Sequence, residues 1–126
     1  MHEPKQNLPV KLEGPNTTLR AVSGWGNMSV AYAELPAGTD LGPLLAGLAN
    51  DACHCPHWGY LLKGSLHVRY IDGTVEVIRA GEVFYLPPGH TGWLDEETTF
   101  VEFSPDTAYN EVLTHVLKKV SEMGSA

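Results

Sequence analysis

The chain has 126 residues and a formal charge of −7, from eight Lys and Arg against fifteen Asp and Glu. That length suits one domain, and such a domain buries roughly two-thirds of its unfolded surface, so a core needs no disulfide or metal to exist. An apolar share of 43% and a charged share of 18% belong to a globular chain rather than a disordered one. The acidic balance argues against nucleic acid and against an anionic membrane surface, since both demand clustered Lys and Arg. No apolar run approaches the ~18 residues of a membrane span. Met1 to Pro15 lacks a basic start followed by an apolar run, so no signal peptide is expected. Two Cys do not make a disulfide framework, and the expected compartment is the reducing cytoplasm.

The first stretch, residues 1–18, carries three prolines and little alternation, and reads as an arm with at most one short strand. Short strands broken by turns follow from Leu19. Val30, Tyr32 and Glu34 alternate with Ala31, Ala33 and Leu35 until Pro36-Ala37-Gly38. Leu41 to Asn50 is a Gly-rich break, and Cys55 to Leu62 precedes Gly64. Leu66, Val68 and Tyr70 share one face of the next strand. Asp72-Gly73 is a hairpin signal, and Val75 to Ile78 returns from it. Val83 to Leu86 is stopped by Pro87-Pro88-Gly89, and Thr98 to Phe103 is a further strand. Many short strands with Gly and Pro turns predict an all-β sandwich or barrel over residues 19–104.

Residues 105–126 differ. Ser104 reads as a helix cap, Pro105 as the first helical residue and Asp106 as the first-turn acid. Tyr109, Val112, Leu113, Val116, Leu117 and Val120 then follow helical spacing, with Gly124 as a stop. This predicts a helix packed on the outside of the β-domain, followed by a short tail. A partner-binding helix is the alternative.

The chemically informative segment is Asp51-Ala52-Cys53-His54-Cys55-Pro56-His57-Trp58. In an extended strand, residues i, i+2 and i+4 face the same way. Cys53, Cys55 and His57 then form one row with Asp51 in line, while His54 and Trp58 face away. Two thiols and an imidazole suit a divalent transition metal such as Zn, Fe, Ni or Cu. One strand cannot wrap an ion, so another ligand must come from elsewhere, and His90 after the Pro-Pro-Gly turn is the natural source. The other reading treats the Cys as small apolar core residues and the His as structural. Pro56 marks an edge or a bulge, and a bulge would bring His54 inward in place of Cys55. His2, His67 and His115 rank lower as ligands. Glu34, Glu82 and Glu102 are acid–base groups if one faces inward, though the simpler expectation for carboxylates is the solvent side.

Residues 51–104 also carry a spaced skeleton. Gly64 closes one motif, and Gly81, Pro87 and Gly89 keep the spacing of a second. On these residues the chain resembles the cupins, whose motifs read G-x5-H-x-H-x3,4-E-x6-G and G-x5-P-x-G-x2-H-x3-N. In that frame His57 takes the glutamate place, Cys53 the second histidine place and Asp51 the first. Leu45 replaces the opening glycine, Gly92 occupies the later histidine place and Glu96 the asparagine place, with His90 two residues earlier. The string from Cys53 to Tyr60, with the Pro-Pro-Gly-His turn, resembles a group of small single-domain bacterial cupins.

The resemblance implies a double-stranded β-helix barrel of jelly-roll type with a metal in its mouth, a small-molecule ligand and a homodimer. It implies no substrate, because fold does not fix function. Three readings follow. The first is a metal-dependent enzyme, dioxygenase- or isomerase-like, with Cys53, His57 and His90 leaving an open position. The second is a non-catalytic binding or sensing module. The third is a structural metal closed by Cys53, Cys55, His57 and His90, beside which a metal-free cupin also stands.

Overall fold

The computed structural model describes residues 1–124. Nine strands form two antiparallel sheets, and one long helix follows them. The strands are β1 (Val10–Gly14), β2 (Thr17–Trp25), β3 (Met28–Leu35), β4 (His57–Lys63) and β5 (Ser65–Tyr70). They continue as β6 (Val75–Arg79), β7 (Val83–Leu86), β8 (His90–Trp93) and β9 (Thr98–Pro105). The larger sheet has the order β1-β2-β3-β9-β4-β7, and the smaller has β6-β5-β8. A short helical turn, α1 (Gly42–Leu45), interrupts the Gly-rich break, and α2 (Asp106–Gly124) ends the described chain. No helix among the described residues is long and apolar enough to cross a membrane.

The core forms where the alternation places it. Leu61, Leu66, Val68, Ile78, Phe84 and Leu94 are all buried between the sheets. On β9, Thr98, Phe100 and Ser104 are buried while Phe103 between them is exposed, the period of two of a half-buried strand. The Asp72-Gly73 turn joins β5 to β6, with Gly73 in the left-handed region at φ 89° and its N–H donating to the Tyr70 carbonyl at 2.9 Å. Within the first stretch one short strand, β1, pairs with β2.

The C-terminal helix is present, but it starts one residue later than its sequence predicts. Pro105 ends β9, paired with Met28 on β3, so the helix begins at Asp106. Ser104 does not serve as the cap: its hydroxyl is committed to His57, at 2.7 Å. The Asp106 carboxylate accepts instead from the Gly24 N–H at 3.1 Å and the Ser29 hydroxyl at 2.7 Å, tying the helix start to the β2–β3 turn. Tyr109, Val112, Leu113 and Val116 pack against Leu45, Ala21 and Ala31. His115 Nε2 lies 2.8 Å from the Ala46 carbonyl, which holds α2 against the α1 segment.

Candidate metal centre

Three elements bring the site together. Cys53 lies just before the start of β4, where its backbone is clamped to β8: the Cys53 N–H donates to the His90 carbonyl and the Gly89 N–H to the Cys53 carbonyl, each at 2.8 Å. His57 is the first residue of β4, in the larger sheet, and His90 the first of β8, in the smaller. All three are buried, and their ligating atoms lie within 4.8 Å of one another. Cys53 Sγ to His57 Nε2 is 3.4 Å. Donors at ~2.0–2.3 Å from one tetrahedral ion stand roughly 3.5 Å apart, so this pair already has a fitting separation.

The histidines are held so that the right nitrogen is presented. His90 Nδ1 is 2.8 Å from the Pro87 carbonyl, which can only accept. Nδ1 therefore carries the proton and Nε2 the lone pair. His57 Nδ1 is 2.7 Å from Ser104 Oγ, and its Nε2 faces the thiol. Such partners on the far ring nitrogen are the usual support of metal-bound imidazoles. Burial lowers both histidines to about 4, so both are neutral at neutral pH, the form that binds metal. Burial raises the Cys53 thiol to about 12, so it is protonated until a cation draws the proton off. The donor set, its spacing and its tautomers fit a divalent transition metal.

Cys55 is outside this group among the described residues. The extended row that would have aligned it does not form, because β4 begins only at His57 and Pro56 supplies no N–H to a ladder. Its thiol lies 3.4 Å from the Pro56 carbonyl, to which it donates. Burial raises it to about 11. Asp51 is also outside: it is exposed, at φ 51°, and its carboxylate accepts from the Gly47 N–H at 2.9 Å. His54 and Trp58 face away, as the strand parity predicts, and both are exposed.

Glu102 corrects the expectation of a solvent-facing carboxylate. It lies on the inward face of β9 between buried Phe100 and Ser104, with its side chain only 13% exposed. One carboxylate oxygen is 3.7 Å from His57 Nδ1. This is no ion pair at neutral pH, because His57 is neutral and burial raises Glu102 to about 7. The same-face spacing of Phe100, Glu102 and Ser104 was the signal in the sequence that could have found it. Glu34 and Glu82 stay outside, on Lys5 and on the Arg79 backbone.

Cys53, His57, His90 and Glu102 line one cavity of about 230 Å³. The rest of its wall is mostly aliphatic, from β1 and β2 on one side to α1 and α2 on the other.

Solved structures share this arrangement of strands. An RmlC-like cupin from Shewanella frigidimarina superposes with a TM-score of 0.57 at 16% identity, over 82% of this chain and 88% of that one. The chain folds as a cupin. A variant of the Bacillus subtilis oxalate decarboxylase gives a TM-score of 0.60 at 18% identity, over 81% of this chain but 28% of the decarboxylase. HppE in its FeII form gives 0.57 at 6% identity, over 82% of this chain and 59% of that one. No protein-family model and no curated protein matches the sequence. At these identities the likeness carries the cupin fold, and the chemistry has to be argued from the site.

Proposed function

We propose that this cupin binds a divalent transition metal through Cys53, His57 and His90 and acts as a metal-dependent enzyme on a small organic molecule. The observation that carries the reading is the grouping of three buried donors in the wall of a cavity, with Glu102 beside them. Three protein donors leave a position open to a ligand from the cavity. Zn, Fe, Ni or Cu all accept this mixed set, and the bound metal would polarise a carbonyl, activate water or engage dioxygen. The chain's own part is to fix the rings through Ser104 and the Pro87 carbonyl, to exclude water with an aliphatic wall, and to exchange a proton at the Glu102 carboxyl. A dioxygenase- or isomerase-like reaction is compatible with such a site.

The third reading, a structural metal in a closed shell, needs Cys55 as fourth donor. The position of Cys55 outside the group favours the first. The metal-loaded protein, tested against a broad metabolite panel with an oxygen electrode, is expected to turn over at least one compound. Glu102→Gln should retain metal and lose roughly 10²–10⁴-fold in rate. A metal-loaded wild type that neither consumes oxygen nor turns over any compound would replace the catalytic reading with the binding one.

We also propose that the barrel of residues 19–104, with its arm (1–18) and C-terminal segment (105–126), works as a homodimer. What supports this is the outer face of the larger sheet. Trp58 and Tyr85 stack there at 5.2 Å, flanked by Tyr60, Phe103 and Val83, which is 80% exposed. A contiguous apolar face of this kind marks an association surface. Light scattering should give twice the 13.7 kDa chain mass, and Val83→Glu should shift it toward the monomer. A monomeric wild type would remove the proposal.

A further inference from the structure

The cavity says more about its occupant than the donor group does. Its wall contains Leu19 from β2, Leu45 from α1, Phe100 from β9, and Val112, Leu113 and Val116 from one face of α2. No lysine or arginine lines it. The ionisable lining is gathered in one place: Cys53, His57 and His90 within 4.8 Å of one another, Glu102 at 3.7 Å from His57, and the Tyr109 ring 6.4 Å from that of His57. A bound divalent ion would itself meet one polar or anionic end of a ligand, whereas along the aliphatic remainder of the wall a second charged group would find no cationic side chain among the described residues. A cavity of ~150 Å³ holds benzene, so about 230 Å³ holds roughly nine non-hydrogen atoms.

We propose that the ligand is a mainly hydrocarbon molecule of roughly this size with a single polar end, its body against α2 and its polar end among His57, His90 and Glu102. The placement of the polar end rests on the site proposed above, whereas the chemistry of the body rests on the aliphatic wall alone. Apolar burial then sets the affinity, and each added methylene should tighten binding by about fourfold until the cavity is full.

The test is calorimetric titration of the purified protein with straight-chain methyl ketones, 2-pentanone to 2-dodecanone. Affinity should rise about fourfold per carbon to near 2-octanone and then level or fall. Leu113→Trp, or Val116→Trp if the first does not fold, should weaken 2-octanone at least tenfold with metal content unchanged. A flat chain-length profile, or a folded Trp variant that binds as wild type does, would overturn the inference. Metal content reads the earlier proposal separately: the ketone profile without a metal would uphold the apolar ligand and overturn the metal site.

Discussion

Gly64→Ala should destabilise the protein by about 3 kcal/mol and lower Tm by roughly 12 °C, at ~4 °C per kcal/mol for a domain of this size. Gly64 turns the chain from β4 into β5 in the left-handed region, at φ 81°. That conformation costs an L residue roughly 1–2 kcal/mol. The added Cβ would also fall 2.4 Å from the Glu97 carbonyl oxygen and 2.9 Å from Thr98 Cα. Backbone cannot rotate aside as a side chain can, and overpacking of this kind adds roughly 1–3 kcal/mol. The glycine between β4 and β5 is therefore required twice, by its dihedral and by the approach of β9. Gly73 has a similar φ of 89° but nothing within 4 Å of its Cβ position. Gly73→Ala should cost only the conformational part. Thermal melts of the two variants side by side check this, and equal losses would show that the close approach to Thr98 carries no weight.

The second large effect separates the two cysteines. Cys53→Ser should weaken metal binding at least about a hundredfold. Dividing the ~10–16 kcal/mol of a four-ligand zinc site gives roughly 3 kcal/mol per donor. Cys55→Ser should cost less than about tenfold, because Cys55 stands outside the three-donor group. Competition titrations against a chromogenic chelator give both numbers. A sharp loss in Cys55→Ser would restore the four-donor closed shell.

The strands were legible because their signals are local. Alternation in Leu66, Val68 and Tyr70 and the stops at Gly64, Asp72-Gly73 and Pro87-Pro88 place β5 to β7 within a residue or so of their observed ends. The site was legible in part. The parity of Cys53 and His57 survives, but not through a continuous strand. The chain turns irregularly between Ala52 and Pro56, and the Cys53–His90 backbone pairing, invisible in the sequence, sets the Cys53 position. Cys55 leaves the row for the same reason. Glu102 reads from the sequence as an acid–base group only if it faces inward, and the solvent side is the simpler expectation because inward carboxylates are costly, although the strand period points inward. Ser104 was assigned to the helix it precedes, whereas β9 runs on through it and gives its hydroxyl to His57. The cavity had no sequence signal, since Leu12, Leu45 and Leu113 meet there from distant parts of the chain.

The account turns on a metal held by Cys53, His57 and His90. Elemental analysis of the untagged protein, wild type beside His57→Ala and His90→Ala, tests it most directly. The prediction is about one transition metal per chain in the wild type, lost in both folded variants. A wild type that holds no metal after reconstitution under reducing conditions, or variants that keep it, would contradict the account.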